Sequence, residues 1–386
     1  MEPASPPVES EEVKSLSTTA FRWLMGAGLI YLLITAVGLI SAGFKSATGE
    51  QAETLFAFAT NPCLGLIVGT LATALIQSSS TVTAIIVGLV AGGLPVATAV
   101  PMVMGANIGT TITNTLVSLG HINQKETFRP AFAAATVHDC FNLLCVAIFL
   151  PLEMLFHPIE QLAGWLSQVW VGSGAIAIQE FNLVAAVTEP AVQLGQFVTH
   201  SLPVPFDGIG LILIGMGLIF VSIAQLGKQL KILMTGRAAA ILQGAMGRGA
   251  IASLLTGTLV TVLVQSSSTT TSLMVPLAGA GVLDLAQIYP FTLGANMGTC
   301  VTALLAATAV TGAEAAPALQ IAMVHLLYNL LGVGVVYGVP WLRSLPMQGA
   351  EYLATVAAER PPLALAYIVL MFFGMPAICL GIRSFI

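Results

Sequence analysis

Residues Gly69 to Thr83 read GTLATALIQSSSTVT and residues Gly257 to Thr271 read GTLVTVLVQSSSTTT, so 11 of 15 positions are identical across a spacing of 188. The chain is an internal duplication. Outward from this stretch, each copy is followed by a glycine-flanked asparagine: Gly105-Ala106-Asn107-Ile108-Gly109-Thr110 in one half and Gly294-Ala295-Asn296-Met297-Gly298-Thr299 in the other. A third pair closes each half, Val137-His138-Asp139-Cys140-Phe141-Asn142 and Val324-His325-Leu326-Leu327-Tyr328-Asn329. The register therefore holds to within one residue, and what repeats is polar sequence inside apolar surroundings.

Of the 386 residues, 56% are hydrophobic and 8% charged, and mean hydropathy is +0.94. Soluble globular chains carry about a quarter charged residues, so this is an integral membrane protein. Hydrocarbon offers no partners to free backbone groups, and the long apolar runs lack the alternation of barrel strands, so the expected fold is an all-α polytopic membrane protein. Enzyme-like soluble folds are excluded. A net charge of −5 spread over loops and the N-terminal stretch makes no case for nucleic acid. Cys63, Cys140, Cys145, Cys300 and Cys379 lie in or beside apolar segments without metal-ligand spacing and read as packing residues, with no transition-metal site and no disulfide framework.

A spanning helix needs about 20 mostly apolar residues, and such runs sit near 23–43, 96–118, 131–150, 208–226, 286–309, 318–339 and 363–382. Two more apolar stretches, 62–92 and 251–282, are interrupted at the centre by Gln-Ser-Ser-Ser (77–80 and 265–268) and read as re-entrant helical hairpins. Segment 151–206 has no Lys or Arg, whereas Lys228, Lys231, Arg237 and Arg248 crowd the next loop, so the positive-inside rule sets them on opposite sides. Threading from that assignment gives a disordered cytoplasmic tail (1–20), a first repeat (21–150), an extracytoplasmic linker (151–206) and a second repeat (207–340). An amphipathic segment and a last transmembrane helix follow (341–386). Equivalent points are then separated by an odd number of spans, so the repeats are inverted, as in secondary transporters with broken helices.

Each QSSS supplies an amide and three hydroxyls where two half-helices break. A half-helix beginning after the break favours an anion, while carbonyls ending the preceding one suit a cation. No Lys or Arg falls within either hairpin or either glycine-asparagine segment, so a buried anion there lacks a fixed countercharge that a bound cation would supply. The same hydroxyls could instead glue helices together. Glycines around Asn107 and Asn296 allow local unwinding, or tight helix packing. Asp139 is the one acid well inside a span of the repeats, its repeat partner is Leu326, and an intramembrane carboxylate marks an ion site. His138 and His325 read as structural, with Asn142 and Asn329 one turn further along the same faces.

The paired QSSS motifs, the GANIGT-type segments and Arg129 to Asn142 (RPAFAAATVHDCFN) resemble the type II sodium-dependent phosphate cotransporter family, particularly its bacterial members, over nearly all of 23–340. The resemblance implies sodium-driven import of inorganic phosphate by alternating access in a bacterial cytoplasmic (inner) membrane, without cofactors beyond the coupling sodium ions. The phosphate set it implies is Gln77, Ser78, Ser79, Ser80, Gln265, Ser266, Ser267, Ser268 and Thr269. The sodium set is Gln77, Ser80, Thr81, Asn107, Asp139, Asn142, Ser268, Asn296 and Asn329. Ala133, Ala135 and Asp139 match the electrogenic branch, where the carboxylate helps hold an additional sodium. Another oxyanion as substrate, or a passive anion channel, remains an alternative on chemistry alone, and a homodimer is compatible with it. A serine hydrolase would need a nucleophile turn that is missing.

Overall fold

The computed structural model describes residues 8–48, 61–172, 183–233, 248–374 and 376, and those residues form helices without a strand. The elements are α1 (Val8–Thr48), α2 (Pro62–Ile76), α3 (Ser79–Ala91), α4 (Val96–Gly109), α5 (Ile112–Ser118), α6 (Lys125–Phe156), α7 (Pro158–Gly172), α8 (Leu183–Thr199) and α9 (Phe206–Leu233). There follow α10 (Ala250–Val264), α11 (Ser267–Ser272), α12 (Met274–Gly279), α13 (Leu285–Ala307), α14 (Ala315–Gly332), α15 (Pro340–Glu359) and α16 (Pro361–Val369). Six helical segments are long and apolar enough to cross a bilayer: Leu24–Ala47, Val96–His121, Lys125–Phe156, Phe206–Gln225, Leu285–Ala307 and Gly312–Tyr337. The expected seventh is a shorter apolar helix, Pro361–Gly374, and the rest of 363–382 falls almost wholly outside the described residues.

Local chemistry sets the boundaries. Asn61 caps α2 by accepting from the Cys63 N–H, with Pro62 in the first turn where its missing donor costs nothing. Asp284 and Gln287 form a reciprocal capping box at the start of α13. At 1.5 Å per residue, α2 and α3 reach only about 22 and 20 Å, short of a hydrocarbon core of about 30 Å.

Glycine placement decides how the halves pack. A Cβ on Gly105 would lie 2.0 Å from the Leu66 carbonyl oxygen, and one on Gly69 equally close to that of Met102, so α2 and α4 touch backbone to backbone. The second half repeats this with Gly294 against Leu254 at 1.9 Å and Gly257 against Phe291 at 2.0 Å, joining α10 to α13. Close packing, the second of the two roles open to the glycines around the asparagines, is what the structure uses. Unwinding is absent in the second copy, because α13 runs unbroken through Gly294–Thr299; in the first, α4 stops at Gly109 and the chain is re-formed into α5 from Ile112.

One expected segment differs. Residues 8–20, expected to be disordered, continue α1, and residues 1–7 lie outside the described set. The 151–206 linker contains the end of α6 and the helices α7 and α8, which pack on α14 and α1 respectively. The stretch 341–360 is helical as α15 and buries Ala350, Ala354 and Ala357 in the face it packs on α6. Arg237 and part of its basic loop lie outside the described residues.

Candidate functional site

Both QSSS motifs adopt one conformation. Gln77 (φ 56°, ψ 30°) and Gln265 (φ 55°, ψ 26°) end their helices in the left-handed region, and with His157 they are the only described non-glycine residues at positive φ. A side-chain-bearing residue pays about 1–2 kcal/mol there, and the same cost at two matched positions marks a shape the tip requires. The next residues, Ser78 and Ser266, are extended and cap the following helices: Ser78 Oγ accepts from the Thr81 N–H at 3.2 Å and Ser266 Oγ from the Thr269 N–H at 3.1 Å. Each serine also pairs with the hydroxyl of the same threonine, at 2.8 and 2.9 Å.

The two tips meet. Gln77, Ser78 and Thr81 from one half and Gln265, Ser266 and Thr269 from the other line a single cavity of about 290 Å³, whose remaining wall is apolar: Ile76, Val264 and three residues of α9, Phe220, Ile223 and Ala224. At about 30 Å³ per water, that volume holds a five-atom tetrahedral anion and several waters. Among the described residues no charged side chain lines it. Gln265 is held in place, its Oε1 accepting from the Thr302 hydroxyl at 3.0 Å and its Nε2 donating to the Val262 carbonyl at 2.6 Å.

The other serines of the triplets sit elsewhere. Ser79, Ser80, Ser267 and Ser268 are buried and do not line the cavity. Ser268 donates to the Thr110 carbonyl at 3.3 Å and Thr271 to Asn114 Oδ1 at 3.0 Å, which seats α11 on the α4–α5 junction of the other half.

A second polar cluster ties the halves together. Asn296 Oδ1 pairs with His138 Nε2 at 2.7 Å, its Nδ2 donates to Asn142 Oδ1 at 3.0 Å, and Asn142 Nδ2 donates to the Asn107 carbonyl at 2.7 Å. His138 and Asn142 therefore do share a face, as their spacing of one turn implies. Asn329 makes no direct bond to this cluster, donating to the His325 carbonyl at 2.9 Å and to Cys300 Sγ at 3.6 Å, and both His325 ring nitrogens lack a partner among the described residues. Asp139 is 1% exposed and also outside it: Oδ2 accepts from the Tyr367 hydroxyl at 3.0 Å, and Oδ1 has no well-formed hydrogen bond among the described residues, with the Thr111 hydroxyl beside the carboxylate.

The candidate residues thus gather in three places, the tip cavity, the asparagine–histidine cluster and the Asp139 carboxylate, while Ser79, Ser80, Ser267, Ser268 and Asn329 lie outside all three. Sequence reasoning missed Thr302, Tyr367 and the α9 wall, none of which lies in a repeated motif, whereas its reading of His138 as a hydrogen-bonded structural residue agrees with the bond to Asn296 that joins the two halves.

A model of the Na+/Pi-cotransporter family matches residues 32–228 and again 218–382. The "Sodium-dependent phosphate transport protein 2A" of Rattus norvegicus is 31% identical over 97% of this chain and 69% of its own length. The protein of the same name from Ovis aries is 32% identical over 96% and 69%, and "Sodium-dependent phosphate transport protein 2B" of Homo sapiens is 29% identical over 94% and 65%. No solved structure matches. With two glutamine–serine tips facing one uncharged cavity and a family model matching both halves, the chain belongs to the Na+/Pi-cotransporter family.

Proposed function

We propose that this protein is a sodium-coupled symporter that imports inorganic phosphate, and that the cavity between the tips is where the anion binds. The observation that carries the reading is that equivalent amides and hydroxyls from the two halves converge on one cavity that no charged side chain lines among the described residues. Phosphate entering it gives up water for the amides of Gln77 and Gln265 and the hydroxyls of Ser78, Thr81, Ser266 and Thr269. Hydroxyls and amides do not neutralise an anion, so its charge remains a cost of several kcal/mol. Sodium bound alongside offsets that cost, which makes each ligand raise the affinity for the other. This reciprocal coupling is what turns a sodium gradient into phosphate uptake.

The halves act as inverted repeats whose short hairpins α2–α3 and α10–α12 enter from opposite sides, and movement of the packed α2–α4 and α10–α13 units against α1 and α9 exposes the cavity to each side in turn. Asp139, with one carboxylate oxygen that has no well-formed hydrogen bond among the described residues, holds an additional sodium and makes transport electrogenic. The chain resides in a bacterial inner membrane with its N-terminus in the cytoplasm.

Radiolabelled phosphate uptake into proteoliposomes tests the reading, with an inward sodium gradient compared against equal choline and against equal sodium on both sides. Accumulation above equilibrium only with the gradient is expected. Equilibration without sodium would make the protein a channel, and no phosphate uptake would turn the cavity to another oxyanion.

A further inference from the structure

Asp139 projects from α6 into a buried setting where its two oxygens are treated differently. Oδ2 is held by the Tyr367 hydroxyl at 3.0 Å, whereas Oδ1 has no well-formed hydrogen bond among the described residues; the Thr111 hydroxyl, which donates to the Ile108 carbonyl at 2.9 Å, is the other polar group beside the carboxylate. Tyr367 is itself anchored: its ring stands edge-on to Phe132 with centroids 6.2 Å apart, and Phe132 packs on Phe128 at 5.3 Å. The tyrosine lies on α16, after the last of the repeated motifs, and the repeat counterpart of Asp139 is Leu326, so this contact has no equivalent in the other half.

A neutral donor does something here that a lysine or arginine would not. It orients the carboxylate while leaving its full negative charge for another ligand, whereas an ion pair would spend that charge. With Oδ2 tied back and the ring wedged on Phe132, the side chain is confined to one setting, and Oδ1 is left to face a cation. Partners that orient a ligating group in this way are worth about 10- to 100-fold in ion affinity when removed.

We propose that Tyr367 is the positioning residue of the Asp139 cation site, so that the C-terminal helix α16 sets the sodium affinity of a site otherwise built from the first repeat. This rests on reading Asp139 as a sodium ligand, and the test separates the two ideas. Tyr367→Phe keeps the ring and removes only the hydroxyl. In proteoliposomes it raises the sodium concentration for half-maximal phosphate uptake about 10-fold, while the maximal rate at saturating sodium and the charge moved per phosphate stay as in the parent. In an Asp139→Asn background the same change adds no further shift.

Sodium dependence unmoved by Tyr367→Phe but moved by Asp139→Asn overturns the role of Tyr367 and leaves Asp139 standing. An equal shift in the Asp139→Asn background shows that Tyr367 acts elsewhere and overturns it too. If Asp139→Asn alters neither sodium dependence nor charge per phosphate, the cation reading falls and this proposal with it. Should Tyr367→Phe not insert stably, Phe132→Leu loosens the ring without touching the hydroxyl and raises the half-saturating sodium about 2- to 3-fold, as expected for a partial loss of positioning; an unchanged value would then overturn the proposal.

Discussion

Replacing Gln77 by glycine separates what the tip costs from what it does. Gln77 sits at φ 56° and its side chain makes no hydrogen bond among the described residues, in contrast to Gln265, which is tied to Thr302 and Val262. Glycine relieves a left-handed penalty of about 1–2 kcal/mol and gives back about 0.4–1 kcal/mol through the greater freedom of the unfolded chain. Folding stability therefore stays level or rises by about 1 kcal/mol on those same terms. Transport moves the other way. The lost amide is a hydrogen-bond donor to a charged ligand, worth about 1.5–3 kcal/mol, which at 1.4 kcal/mol per tenfold is about 10- to 150-fold in the phosphate concentration for half-maximal uptake. The assay pairs sodium-driven uptake in proteoliposomes with thermal melting of the detergent-solubilised protein. Gln77→Asn keeps an amide and tolerates the left-handed backbone, so it recovers part of the lost affinity. A melting temperature that falls by many degrees, or an unchanged phosphate half-saturation, would refute the argument that the strained glutamine is there for its amide.

Gly294→Ala drives a methyl group to within 1.9 Å of the Leu254 carbonyl and abolishes most monodisperse protein after extraction, since overpacking costs about 1–3 kcal/mol or more. Gly217→Ala, with nothing within 4 Å of the added carbon, is the control and extracts normally. Asn296→Leu strips His138 Nε2 and Asn142 Oδ1 of their partner and, at about 1–3 kcal/mol for such orphaned groups, lowers the melting temperature by a few degrees; no change would mean the halves are not joined there. Ser266→Ala removes a cap worth about 1 kcal/mol together with a hydroxyl on the cavity wall, so it weakens phosphate uptake more than Ser267→Ala does. The opposite ranking would contradict the wall assignment.

The membrane class, the duplication and the two tips were legible in the residues because each rests on local chemistry. Apolar length, charge exclusion and a repeated QSSS are properties of contiguous sequence, and serine after glutamine is a good helix cap wherever it falls. The break at each tip follows from the same local rule. Other features depend on which helices come to lie side by side. Glycine beside Asn296 was consistent with unwinding or with packing, and the nearness of the Leu254 backbone, 40 residues earlier in the chain, settles it for packing. Equal serines in a triplet become unequal once a helix starts at the second one: the first turns to the cavity with its threonine, and the fourth position of the motif turns to Thr110 in the other half. Tyr367 meets Asp139 across 228 residues, and α9 closes the cavity with ordinary apolar side chains, so neither leaves a motif to find. Covalent order carries the capping and hydropathy that make each helix, whereas convergence on a site is a matter of distance in space, set by backbone contacts at a few glycines that no single segment contains.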